Sequence, residues 1–211
     1  ELAGVLAQAG NSVLLLDGDL RRPSQHEIFN LTNKRGVTSL LLKLNIDDSE
    51  IEVRNLVEDT VQPTQVEVLQ VMTCGPVPPN PSELLGSTKM RRLLEVLDKQ
   101  YDFVIVDSPP VLSVTDAAVL SALAGTTLVV VRANKCRKDE FKQVVERLED
   151  VNANLAGAVL NSLKAGSEGH NFYDYYKDPY YTYGDEPGKD SDEPKSKLRK
   201  RFLRGQEAVQ S

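Results

Sequence analysis

Two short runs constrain this chain more than anything else in it. "SVLLLD" (Ser12–Asp17) and "DFVIVD" (Asp102–Asp107) are apolar almost throughout and then end in a carboxylate. A run without a polar alternate has no wet face, which predicts a strand buried on both sides. Val66–Met72, Thr127–Arg132 and Leu155–Asn161 read as three further strands, with helical patterns between most of them. The clearest such pattern, Asn80–Gln100, predicts one helix. Asn80 serves as cap, Pro81 as first residue and Glu83 at capping-box spacing, with Leu84, Leu85, Leu93, Leu94 and Leu97 on the apolar face. Lys138–Val151 predicts another, with Phe141, Val144, Val145, Leu148 and Val151 inward. Residues 36–60 read as short helices linking the first two strands. Apolar strands alternating with helices predict an α/β fold, a mainly parallel sheet with helices on both faces.

The 211 residues suffice for one domain of about 163 residues and a tail. A net charge of −6 argues against nucleic acid as a partner. The two cysteines, Cys74 and Cys136, lie far apart and form no metal or redox spacing, which favours a reducing compartment. With two histidines, His26 and His170, a histidine-based zinc site is not expected. No apolar run approaches the roughly 20 residues that span a bilayer, and no signal peptide opens the chain. Past Leu163 the composition turns to Gly, Ser, Asp, Lys and Pro, which predicts a disordered tail over residues 164–211. Six of the seven tyrosines fall within it, between Tyr173 and Tyr183. Six basic residues follow between Lys195 and Arg204, with Leu198, Phe202 and Leu203 interleaved; that run suits either anionic lipid, a partner's cytoplasmic face or plain solvation.

The strand ends carry the chemistry. Open α/β sheets bind ligands beyond the carboxyl ends of their strands. Asp17-Gly18-Asp19 and Asp107-Ser108-Pro109-Pro110 stand at such ends, so neighbouring strands would bring Asp17, Asp19 and Asp107 together. Magnesium favours one or two carboxylates, waters and substrate phosphates, which this edge can supply. The competing reading is a strand that simply meets solvent. A phosphate-cradling loop of the form G-x-x-x-x-G-K-S/T is not found; "GSTK" at Gly86–Lys89 has the residue types in the wrong order and lies within a helix. The chain opens with "ELAGVLAQAG", helical and uncapped, as if begun inside a helix. The loop is therefore expected just before Glu1, the chain reads as a fragment, and alone it is expected to be inactive.

These motifs in this order resemble the bacterial tyrosine autokinases (BY-kinases). "VLLLDGDLRRP" is similar to their second Walker-type motif, "FVIVDSPPVLSVTDA" to their Walker B motif, and "CGPVPPNPSELLGSTKM" to the element between the two. The tyrosine-rich tail resembles their autophosphorylation cluster. The resemblance implies a P-loop NTPase-like fold of the deviant Walker type and a kinase using ATP and Mg2+ to phosphorylate tyrosines on a neighbouring subunit. It implies Asp17 as base for the tyrosine hydroxyl, Asp19 and Asp107 in the magnesium shell, and Arg21 beside phosphate or the carboxylates. Asn161 takes the position that contacts adenine in related ATPases, or is a plain strand-end turn residue. The acceptors would be Tyr173, Tyr175, Tyr176, Tyr180, Tyr181 and Tyr183. The implied partners are further copies in a ring, assembled through a segment ahead of the loop, and a membrane-anchored polysaccharide chain-length regulator in cis or trans. The implied location is the cytoplasmic face of the plasma membrane, and the implied role is control of exopolysaccharide or capsule production. Two alternatives stand beside it, a ParA/MinD-like ATPase switch and a non-catalytic interaction domain.

Overall fold

The computed structural model of the chain describes residues 1–163. The tail, with its six tyrosines and basic run, lies outside the described residues. The elements run α1 (Leu2–Gln8), β1 (Val13–Asp17), α2 (Gln25–Ile28), α3 (Val37–Lys43), α4 (Glu50–Glu58), β2 (Gln62–Pro63) and β3 (Leu69–Met72). They continue with α5 (Pro81–Leu85), α6 (Thr88–Asp98), β4 (Phe103–Asp107), α7 (Asp116–Leu123), β5 (Thr127–Arg132), α8 (Lys138–Asp150) and β6 (Leu155–Asn161).

Four strands form one sheet in the order β2-β3-β1-β4, in which β3, β1 and β4 run parallel. β1 is buried at every position, as its unbroken apolarity predicts. Its side chains alternate between two cores. Leu14 and Leu16 pack with residues of α3 to α7, among them Leu40, Leu41, Leu85, Leu93 and Leu97. Val13 and Leu15 pack on the other face with Ala3 and Ala7 of α1 and with Leu69 and Val71. Helices thus cover both faces of β1, the layering expected of a parallel sheet. The start of the β1/β4 pair is pinned by a side chain: Ser12 N and Oγ donate to Asp102 Oδ2 at 2.8 and 2.9 Å.

β4, expected to be buried on both sides, is only half-buried with Phe103 exposed, because it ends the sheet among the described residues. Three further features depart from the sequence expectation. The helix expected over Asn80–Gln100 is two helices, because Gly86 and Ser87 interrupt it. Ser87 Oγ accepts from Met90 N at 3.2 Å and donates to Leu84 O at 2.7 Å, capping α6 while closing α5. Asn80 donates instead to the Glu83 carboxylate at 3.0 Å and makes no side-chain cap. Secondly, β3 begins at Leu69 rather than Val66, and the two-residue β2 pairs antiparallel along its outer edge. Thirdly, β5 and β6 form a parallel ladder of their own. They are as apolar as β1, yet Leu128, Val130, Val159 and Leu160 are exposed. Apolarity reports what a strand tolerates as neighbours; it does not supply them. α8 has the expected inward face, with Leu148 fully buried. Among the described residues no helix is long and apolar enough to cross a membrane.

Candidate active site

The β1/β4 register sets Asp17 opposite Asp107 at the carboxyl ends of two adjacent parallel strands. Asp17 is completely buried. Its Oδ2 accepts from the backbone amides of Ser24 and Gln25 at 3.2 and 3.1 Å, where the chain turns into α2. Its Oδ1 is buried without a hydrogen-bond partner. Burial raises the Asp17 carboxyl above its ordinary value, the neighbouring Asp107 charge adds to this, and the two amides only partly oppose it. Gln25 also reaches the second carboxylate: its Nε2 donates to Asp107 Oδ2 at 2.7 Å. The backbone between the aspartates passes so close to β4 that a Cβ on Gly18 would lie 2.6 Å from Asp107 O, to which Gly18 N donates at 2.8 Å. Only glycine fits there.

Asp19 does a different job. Its Oδ1 accepts from the amides of Arg21 and Arg22 at 3.1 and 2.9 Å and so shapes the turn after β1. The Arg21 guanidinium then makes a two-pronged bridge to Asp116 at the start of α7, Nε to Oδ2 at 2.8 Å and Nη2 to Oδ1 at 3.1 Å. It also donates to Ser82 Oγ at 3.0 Å, and Ser82 donates to Asp116 Oδ1 at 2.5 Å. Asp116 is wholly buried, and the hydrogen bonds from Arg21 hold its carboxyl below the ordinary range.

Of the residues expected at the site, Asp17 and Asp107 stand side by side in register and share Gln25 as a donor. Asp19 stands at the adjoining turn, and among the described residues no group of three His, Cys, Asp or Glu side chains comes together to hold a metal. Arg21 is committed to Asp116. Asn161 ends β6, opposite Arg132 in the second ladder, and its Oδ1 accepts from the next amide, Ser162 N, at 2.6 Å. Tyr173, Tyr175, Tyr176, Tyr180, Tyr181 and Tyr183 lie outside the described residues. Sequence reasoning missed Gln25 and Ser82. Their only signal was proximity, Gln25 just beyond the Asp17 turn and Ser82 within the Pro-rich element. Asp116 was visible within "VTDA" but carried no assigned role.

The AAA domain family matches residues 1–160. The tyrosine-protein kinase YwqD of Bacillus subtilis is 39% identical over 175 residues, 83% of this chain and 69% of YwqD. The chain belongs to the bacterial tyrosine-protein kinases. Among solved structures, the kinase domain of Escherichia coli tyrosine kinase ETK is 40% identical, covers 79% of the chain against 62% of its own length, and superposes with a TM-score of 0.69. The fold of this kinase extends further. Cobyrinic acid a,c-diamide synthase from Mycobacterium smegmatis, at 19% identity, shares it over 83% of the chain and 70% of its own with a TM-score of 0.63, and that enzyme was solved with an ATP analog and magnesium. In the kinase chain itself the strand-end carboxylates have the chemistry of a divalent-cation site. Two adjacent acids, one buried with an unpartnered oxygen, are costly to ionise together without a cation between or beside them.

Proposed function

We propose that this chain is the catalytic domain of a tyrosine autokinase that uses ATP and Mg2+ to phosphorylate tail tyrosines on a neighbouring copy. The observation that carries this reading is the Asp17–Asp107 pair. Two carboxylates share one sheet edge, and Asp17 keeps a buried oxygen with no donor, in a chain whose relatives are tyrosine kinases. Asp107 and Asp19 would hold Mg2+, directly or through water; bound there, the ion would neutralise phosphate charge. Asp17 accepts the tyrosine proton. A free tyrosine hydroxyl has a pKa near 10, and a carboxylate made more basic by burial is better matched to that task than an ordinary one. Gln25 orients the pair by donating to one oxygen of each, through its backbone to Asp17 and its side chain to Asp107. Asn161 is proposed to contact the adenine.

Six tyrosines within eleven residues provide a high local concentration of acceptors for an adjoining subunit. Each phosphate adds about −1.5 to −2 charges, beside Asp174, Asp178 and Asp185, so a fully modified tail repels its neighbours and favours disassembly. The proposed setting is a ring of copies at the cytoplasmic face of the membrane, beside a membrane-anchored regulator of polysaccharide chain length, where phosphorylation regulates exopolysaccharide export.

The test is phosphotyrosine mapping by mass spectrometry after incubating the full-length protein with ATP and Mg2+. The comparison is the double variant Asp17→Asn, Asp19→Asn. Modification of residues 173–183 that disappears in the variant is the expected result. ATP hydrolysis without phosphotyrosine would instead assign a ParA/MinD-like switch, and neither activity would leave an interaction domain.

A further inference from the structure

We propose that Asp116 is a positioning residue that acts through Arg21 on both carboxylates of the β1 end. Its effect on catalysis rests on the kinase reading above. Asp116 is fully buried, and both its oxygens are occupied: Oδ2 by Arg21 Nε, Oδ1 by Arg21 Nη2 and Ser82 Oγ. A carboxylate with a donor on each oxygen and no exposed surface is out of reach of a metal or a substrate, which leaves it a positional task. What it positions follows from the other end of Arg21. The Arg21 amide is a donor to Asp19 Oδ1, and three residues on, the amides of Ser24 and Gln25 are the donors to Asp17 Oδ2. Fixing Arg21 fixes the loop that aims Asp19 and holds Asp17.

The links form a closed circuit. Asp17 is paired in register with Asp107, and the loop Ser108–Thr115 runs from Asp107 to Asp116. The bridge runs from Asp116 to Arg21, and the turn leads back to Asp17. Slack anywhere in such a ring is felt as misplacement of the two acids, and outer partners of this kind are worth about 10- to 100-fold in metal affinity or activity. Ser82 adds α5 to the circuit, which ties the Pro-rich element to the two strand ends. The guanidinium expected beside phosphate or the carboxylates acts here as a strut, its fork matched to the Asp116 carboxylate in a way an ammonium cannot copy.

The experiment compares Asp116→Asn, Ser82→Ala and Arg21→Lys in the full-length protein by steady-state kinetics and amide hydrogen exchange. Asp116→Asn is expected to lower kcat by about 10- to 100-fold while the KM for ATP stays close to its original value. Exchange of the segment 18–25 should accelerate while the β1 amides, residues 13–16, keep their protection. Arg21→Lys should behave like Asp116→Asn, and Ser82→Ala should move the same way less far. An Arg21→Lys protein with unchanged kcat and exchange would overturn the proposal, because charge without the fork would then suffice. Faster exchange spread equally over β1, β3 and β4 would also overturn it, since Asp116 would then serve only global stability. If the unmodified protein forms no phosphotyrosine, the kinase reading falls, and the exchange arm still decides the strut.

Discussion

The carboxyl at position 17 shows how a single residue can be retained against the interest of stability. Burial raises its folded value, so between the ordinary carboxylate range near 4 and that raised value the native protein binds more protons than the unfolded chain. In that window stability falls as pH rises, and the penalty persists at neutral pH. Asparagine at 17 keeps an oxygen for the amides of Ser24 and Gln25 and carries no charge. Asp17→Asn is therefore expected to raise Tm by a few degrees at pH 7, to lose that gain below the ordinary carboxylate range, and to abolish phosphate transfer. Calorimetry at both pH values checks it; a lower Tm at pH 7 would contradict the burial argument. Asp116 has the opposite sign. Its lowered value contributes stability that is present above the ordinary carboxylate range and is lost as pH falls through the folded value.

At the scale of elements, the break between α5 and α6 rests on one hydroxyl. Ser87→Ala removes the acceptor for Met90 N and the donor to Leu84 O, and is expected to cost about 1 kcal/mol, read as a lower urea midpoint at unchanged slope. An unchanged midpoint would show that packing of Met90, Leu93 and Leu97 alone sets the start of α6. The break also marks what the sequence could and could not reveal. β1 and its terminal acid were legible because a strand buried on both faces must be apolar at every step, so a carboxylate at its end is conspicuous; β4 was legible as a strand by the same apolarity, although it is only half-buried. The α5/α6 break was not, since the leucine spacing on either side fits one helix as well as two. The exposure of β5 and β6 was not legible either, because it depends on which strand lies beside them. The roles of Gln25, Ser82 and Asp116 lie in distances between segments up to 95 positions apart, which no local pattern encodes.

At the scale of the molecule, among the described residues both sheets end in a strand with one free side, β4 in the larger and β5 in the smaller. Phe103 is 43% exposed and Val130 64%, so these edges combine unpaired backbone with apolar side chains. Strands of that kind pair with whatever offers a complementary edge. The 211-residue chain is expected to associate with itself as concentration rises, and a single concentration-independent species in sedimentation velocity would contradict this. One property of the larger sheet survives any such association. Asp17 and Asp107 are partners on one rung of a single ladder, so the spacing of their backbones is a lattice constant of the sheet, about 4.8 Å, while the turns around them aim the side chains. A change in a segment outside the circuit of Asp17, Asp107, Asp116 and Arg21 leaves that gauge untouched. One residue inserted into either strand would misread it at once, presenting a neighbour in place of an acid. The sheet sets the gauge between the two backbones, and the Arg21–Asp116 strut sets how the acids are aimed from it.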